Sequence, residues 1–278
     1  MLNILLIALC SLLVSVQSFA ASPRGKYFDR AITVIFENEN YTAAIKQPFF
    51  NQLARRGANF TNFSAITHPS QPNYIALTSG SLNNVTNDKL VDINSKNIVD
   101  LLEAKKLTWK AYIEDYPGNC FTGNLSGKYV RKHNPFISYL NIQNNASRCA
   151  NIVNASNFEQ DAANGTLPNY VFYVPNNRNN GHDTNVTFAD KWYSQKFTKY
   201  VNDTNFMQNT ILISTFDEGQ QNAKLNQIYT SIVGATVKSG DVSAQVNLYS
   251  LLNLLEDNWS LGNLGKADVT AAPIPNIW

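Results

Sequence analysis

RAITVIF (Arg30–Phe36) runs straight into Glu37-Asn38-Glu39-Asn40, and TILISTF (Thr210–Phe216) runs straight into Asp217-Glu218-Gly219. Each is a short, β-branched, apolar run closed by acids, the pattern of a buried strand that stops at a polar place. Working outward, Thr108–Ile113, Tyr170–Val174 and Ile228–Val237 read as further strands. Helical spacing covers Gln47–Gly57, Pro72–Ser79, Asn97–Lys106, Phe188–Val201 and Tyr249–Trp259. Strands interleaved with helices predict an α/β fold whose mostly parallel central sheet is covered on both faces. In such a fold ligands gather at the carboxyl ends of the strands. The two acidic strand ends are therefore the first candidates for chemistry.

Composition narrows the class. The chain has 278 residues, with Lys+Arg 22 against Asp+Glu 20, a formal charge of +2. Hydrophobic residues make up 44% and charged ones only 15%, which excludes an intrinsically disordered chain. No basic excess exists to neutralise a phosphate backbone, so nucleic acid is not an expected partner. With 13 Gly, 10 Pro and 3 Cys, collagen-like and disulfide-scaffold classes are excluded as well.

The first twenty residues are set apart from the fold. They carry no charged side chain, hold an apolar run from Ile4 to Val16, and end in Ser18 and Ala20, small residues suited to signal-peptidase cleavage. The run is short for a membrane span, and no hydrophobic tail follows Trp278, so no stable anchor is expected. The expected organisation is a signal peptide over residues 1–20 and one domain over 21–278, secreted. Cys10 leaves with the signal, and the remaining Cys120 and Cys149 are expected to bridge. Asn-X-Ser/Thr sequons stand at Asn40, Asn59, Asn62, Asn84, Asn124, Asn145, Asn154, Asn164, Asn185, Asn202 and Asn258. Several are expected to carry glycans, and Asn40 to stay bare because it adjoins the first acidic cluster.

Acids at buried strand ends are costly unless a cation compensates them. Oxygen donors from two strand ends suit a hard divalent ion such as Ca²⁺, Mg²⁺ or Mn²⁺ better than Zn²⁺. A nucleophile stands between them in sequence. Ser70, in HPSQPNY (His68–Tyr74), precedes a helical run, where backbone N–H groups favour an anion. A plain helix cap is the alternative reading of this serine.

Five ordered segments add a resemblance that covers essentially the whole mature chain. FENENY, HPSQPNYIALTSG, YVRKHNPF, LPNYVFYVPNN with NGHD, and STFDEG look like the phosphoesterase family of acid phosphatases and phospholipases C, within the alkaline phosphatase superfamily. The SQPNY segment also resembles the nucleophile motif of nucleotide pyrophosphatases. The resemblance implies a three-layer α/β/α fold and a phosphoserine intermediate on Ser70. It implies that Glu37, Asn38, Asp217 and Glu218, with Ser70, bind the metal, and that Asn73 hydrogen-bonds a phosphoryl oxygen. It implies that His133 contacts phosphate or protonates the leaving group, with His182 and Asp183 lining the same pocket. Two positions depart from the family pattern: Leu248 replaces a histidine, and Asn180 an acid.

The activity expected on these grounds is hydrolysis of small phosphomonoesters by a secreted, metal-dependent enzyme with an acidic optimum. Two alternatives stay open: a phospholipase C or other phosphodiesterase, and a secreted glycoprotein that has lost catalysis and binds instead.

Overall fold

The computed structural model describes residues 24–220 and 225–278. The expected signal segment, with its cleavage point after Ala20, lies outside the described residues. Eight strands build the central sheet: β1 (Arg30–Phe36), β2 (Ala58–Phe60), β3 (Trp109–Ile113), β4 (Ile152–Asn154), β5 (Tyr170–Val174), β6 (Thr210–Phe216), β7 (Thr230–Gly234) and β8 (Gly240–Val242). Their order across the sheet is β8-β2-β7-β6-β1-β5-β3-β4. Every pairing is parallel except those of β7, which runs against β6 and β2. The mostly parallel α/β architecture read from the sequence is the one observed.

Both faces of the sheet are covered, as parallel sheets require. Successive strand residues point to opposite faces, and β5 shows it: Phe172 meets Phe136, whereas Tyr173 meets Phe158, Trp192 and Phe197. The Tyr173 face carries α1 (Pro48–Arg56) and α4 (Val186–Val201), where Phe36, Phe50, Tyr193 and Phe216 pack ring against ring. The other helical pair is α2 (Ser70–Ser79) against α5 (Leu248–Asn258), and α3 (Ile98–Ala104) follows α2 in the chain. Burying each such ring contributes about 1.5–3 kcal/mol.

Several boundaries differ from expectation. The helix expected from Pro72 starts two residues earlier, at Ser70. Pro72 is tolerated there because its missing N–H falls in the first turn, where no intrahelical partner exists. The strand expected over Ile228–Val237 contracts to Thr230–Gly234. Strands β2 and β8, three residues each, were too short to declare a period.

Cys120 and Cys149 are bridged, with Cα atoms 5.6 Å apart. The bridge closes off a loop-rich excursion holding a small hairpin (Leu125–Ser126 with Tyr129–Val130) and the turn Arg131–His133. Asn59 and Asn258, two of the sequon asparagines, are buried and use their amides internally. Asn258 Nδ2 donates to the Phe28 carbonyl, and Asn59 Nδ2 to Tyr41 and Asp241.

One buried acid in α5 is a stability liability away from the strand ends. Glu256 is 3% exposed and neither carboxyl oxygen has a hydrogen-bond partner. Burial, with the nearby Asp268 carboxylate, pushes its carboxyl up to about 8 from the usual 4.5. The folded chain therefore holds a proton that the unfolded chain releases above pH 4.5, and stability falls as pH rises through that interval. Replacing Glu256→Gln removes the dependence. Thermal melts should find the variant no more stable than the parent at pH 4, and increasingly more stable toward pH 8.

Candidate active site

Register places the two acidic strand ends side by side. Phe36 of β1 pairs with Phe216 of β6, so Glu37 and Asp217 are adjacent as the strands stop. The Asp217 N–H donates to the Phe36 carbonyl at 3.0 Å, and the Glu37 N–H to the Asn180 carbonyl at 3.1 Å. Asn38 then turns the chain with φ 44°, a left-handed conformation that Asn tolerates better than most residues. Its N–H meets Asp217 Oδ1 at 3.2 Å, and the same oxygen accepts the Glu218 N–H at 2.7 Å.

Ser70, the first residue of α2, comes in against this pair of ends. Its Oγ lies 3.2 Å from Glu37 Oε2, 3.5 Å from Asn38 Oδ1 and 3.0 Å from Glu218 Oε1. One hydroxyl proton faces three acceptors, so it can satisfy only one at a time. Ser70, Glu37, Asp217 and Glu218 are all buried, at 1%, 3%, 2% and 4% exposure. This crowding sets the electrostatics. Burial would raise the Glu37 carboxyl, but His133, Lys132 and the Tyr74 hydroxyl outweigh it and hold it down at about 2. Tyr74 OH donates to Glu37 Oε1 at 2.5 Å, and His133 Nε2 stands 3.1 Å from the same oxygen. Asp217 has no such company: burial and then repulsion from Glu37 and Glu218 push it well above the carboxylate range. Burial also raises Glu218, against the opposing pull of Ser70 and His68.

A cation fits this donor set. Asp217 Oδ2 is buried without a hydrogen-bond partner, and the other oxygens crowd one hydroxyl. Among the described residues, no three His, Cys, Asp or Glu side chains already stand in a ready metal-ligand arrangement. The convergence is on the Ser70 oxygen itself.

The remaining expected residues fall into two groups. The His133 ring lies 6.1 Å from that of His182, whose Nδ1 pairs with Asp183 Oδ1 at 2.8 Å on the exposed side. Asn73 stands apart. It is fully buried, its Oδ1 accepts the Ile66 and Thr67 N–H groups, and its Nδ2 donates to the Thr67 and Pro69 carbonyls. Its amide thus holds the loop that delivers Ser70. The backbone N–H after Ser70 is also engaged: Gln71 N donates to Asp88 Oδ1 at 2.9 Å. The anion at the start of this helix is the protein's own.

Tyr74, His68, Asp88 and Lys132 complete the surroundings; of these only His68 is marked in the sequence, as one of three histidines that fall inside the family-like motifs, and it has no assigned role there. Tyr74 had a usable signal, since it lies four residues after Ser70 on one helix face. His68 pairs with Glu218 through Nδ1. Of the two departures from family pattern, Asn180 is beside Glu37, where a neutral amide avoids one more buried charge. Leu248 is 1% exposed in the core and offers no polar group.

The phosphoesterase family profile matches residues 38–262. The chain belongs to the phosphoesterase family. It is 35% identical over 266 residues to a probable acid phosphatase of Kluyveromyces lactis, covering 91% of this chain and 63% of that protein. It is 35% identical over 279 residues to an acid phosphatase of Aspergillus fumigatus (95% and 62%). It is 32% identical over 259 residues to a phosphatidylinositol-3-phosphatase of Mycobacterium tuberculosis (90% and 83%). The chain thus spans somewhat less than two thirds of the two fungal relatives. A solved alkaline phosphatase superfamily protein from Vibrio parahaemolyticus shares the fold, with TM-score 0.62 at 14% identity over 91% of this chain and 72% of that one. Murine ectonucleotide pyrophosphatase/phosphodiesterase 5 does so at TM-score 0.55 and 11% identity, over 85% and 96%.

Crowded acids make a site that stability alone would not build. Asp217→Asn relieves the repulsion while keeping an oxygen for the Asn38 and Glu218 N–H groups. In chelator at neutral pH its melting temperature should rise by about 2–4 °C, the equivalent of roughly 1 kcal/mol.

Proposed function

We propose that this chain is a secreted, metal-dependent phosphatase that hydrolyses phosphomonoesters through Ser70. The observation that carries this reading is the convergence of Glu37, Asn38 and Glu218 oxygens on the Ser70 hydroxyl, beside an unpartnered Asp217 oxygen. Glu37, Asn38, Asp217, Glu218 and Ser70 would hold a divalent ion, and the all-oxygen set favours Ca²⁺, Mg²⁺ or Mn²⁺ over Zn²⁺. Such an ion, when bound, lowers the pKa of a coordinated hydroxyl and offsets charge on a phosphoryl group.

In this reading Ser70 Oγ bonds to phosphorus as the ester oxygen leaves, and water then splits the phosphoserine to release phosphate. Tyr74 and His133 keep Glu37 ionised and fixed in orientation. His182, exposed, paired with Asp183 and with its ring 6.1 Å from that of His133, is the candidate in this reading to give the leaving alcohol its proton, with His133 on the buried side of the pair. The phosphatase names of the relatives support the monoester reading over a phospholipase C, and the fungal names support an acidic optimum. Among the described residues no helix is long and apolar enough to cross a membrane, and the Cys120–Cys149 bridge suits an oxidising compartment.

Turnover of p-nitrophenyl phosphate, its bis-ester and phosphatidylcholine tests the assignment directly. The monoester should be hydrolysed fastest, with activity lost in chelator and lost by at least about a thousandfold in Ser70→Ala. Hydrolysis confined to the diesters would favour the phosphodiesterase, and no turnover at all the binding glycoprotein. Export makes a separate prediction. After expression in a secreting eukaryotic host, glycopeptide mapping should find glycans among the exposed Asn84, Asn124 and Asn164, and none on the buried Asn59 and Asn258.

A further inference from the structure

Lys132 sits one residue before His133, in the wall that faces Glu37, yet has no role so far except to help hold Glu37 ionised. Its Nζ donates to Asp88 Oδ2 at 2.9 Å, and its side chain is 17% exposed. Asp88 Oδ1 in turn accepts the N–H of Gln71, the residue after Ser70. A single carboxylate therefore links the ammonium to the start of the helix that carries the candidate nucleophile.

That carboxylate is held firmly. Gln71 Nε2 donates to the Asn87 carbonyl at 3.0 Å and the Lys89 carbonyl at 2.8 Å, so the segment flanking Asp88 is tied to the residue next to Ser70. The neighbouring Arg131 shows what a structural cation looks like here. It is 4% exposed and turned onto the Thr122 and Val91 carbonyls and Asp92. Lys132 instead keeps a partly open side chain and one carboxylate partner. Burial works against its charge, but Glu37, Asp88 and Asp217 outweigh that and keep it protonated.

A phosphomonoester approaching Ser70 brings up to two negative charges toward Glu37, Asp217 and Glu218. It needs a counter-charge that does not titrate in the working range, which imidazoles cannot guarantee. We propose that Lys132 binds the phosphoryl group of the substrate, and that Asp88 is the counter-ion the ammonium leaves as the substrate arrives. The assignment rests on the phosphatase reading above and adds to it the residue that holds the substrate's charge.

The two partners make opposite predictions, which a merely structural ion pair would not. Binding of inorganic phosphate is read by calorimetry, alongside KM and kcat for p-nitrophenyl phosphate. Lys132→Met should weaken phosphate binding and raise KM by about 10- to 100-fold, the range for losing one charged hydrogen bond, with kcat changed less. Lys132→Arg should recover most of the binding, and Lys132→Gln replaces the Met variant if that chain folds poorly. Asp88→Asn, which keeps an oxygen for the Gln71 N–H but removes the competing charge, should tighten phosphate binding by about threefold or more. Phosphate binding within about twofold of the parent in Lys132→Met overturns the proposal. So does a shift in the same direction in both variants, or a parent chain that binds no phosphate. A parent that binds phosphate but hydrolyses no ester overturns the hydrolase reading instead.

Discussion

Parallel pairing of two neighbouring strands, in the register that matches Phe36 with Phe216, is the constraint on which the site depends. It sets Glu37 and Asp217 next to each other at the point where both backbones leave the sheet. Two adjacent acids repel, and their burial keeps bulk solvent from screening them. The surroundings are the answer to that repulsion. Tyr74 and His133 are committed to Glu37, His68 to Glu218, and Ser70 is shared, while one oxygen of Asp217 stays without a partner.

The elements around the acids divide positioning from contact. Asn73 gives its whole amide to the loop before Ser70, and Asp88 accepts the N–H of Gln71, the second residue of the helix. The disulfide-closed excursion supplies Arg131, Lys132 and His133 in succession, and the fold uses them differently. Arg131 fastens the turn to the backbone around it, Lys132 reaches Asp88, and His133 enters the acid cluster. Three consecutive basic residues thus hold a scaffold, a counter-ion and a buried carboxylate.

Kinship with acid phosphatases sits well with this arrangement, and the two departures from family pattern leave visible marks: the buried Asn180 Nδ2 has no hydrogen-bond partner, and Leu248 offers no group for phosphate or a proton. Asn180 gives its carbonyl to Glu37 and its Oδ1 to the His182 N–H, contacts that need no negative charge. Leu248 opens a helix whose cap is made by Asn247, and its side chain joins the core. The contacts to the Ser70 hydroxyl come from other side chains, Glu37, Asn38 and Glu218.

Much was legible in the residues alone. Three strands, β1, β5 and β6, run over the stretches their apolar runs marked, because continuous burial on both faces leaves an unbroken hydrophobic signature. The acids at two strand ends were visible for the same reason, as polarity begins where the sheet stops. What only the tertiary structure decided was partnership. The commitment of Tyr74 to Glu37, of Asp88 to Gln71 and Lys132, and of Asn73 to its own loop spans separations that no local period encodes. Hydrogen bonds and ion pairs are fixed by distances of a few ångströms, and those exist only once the chain has closed on itself.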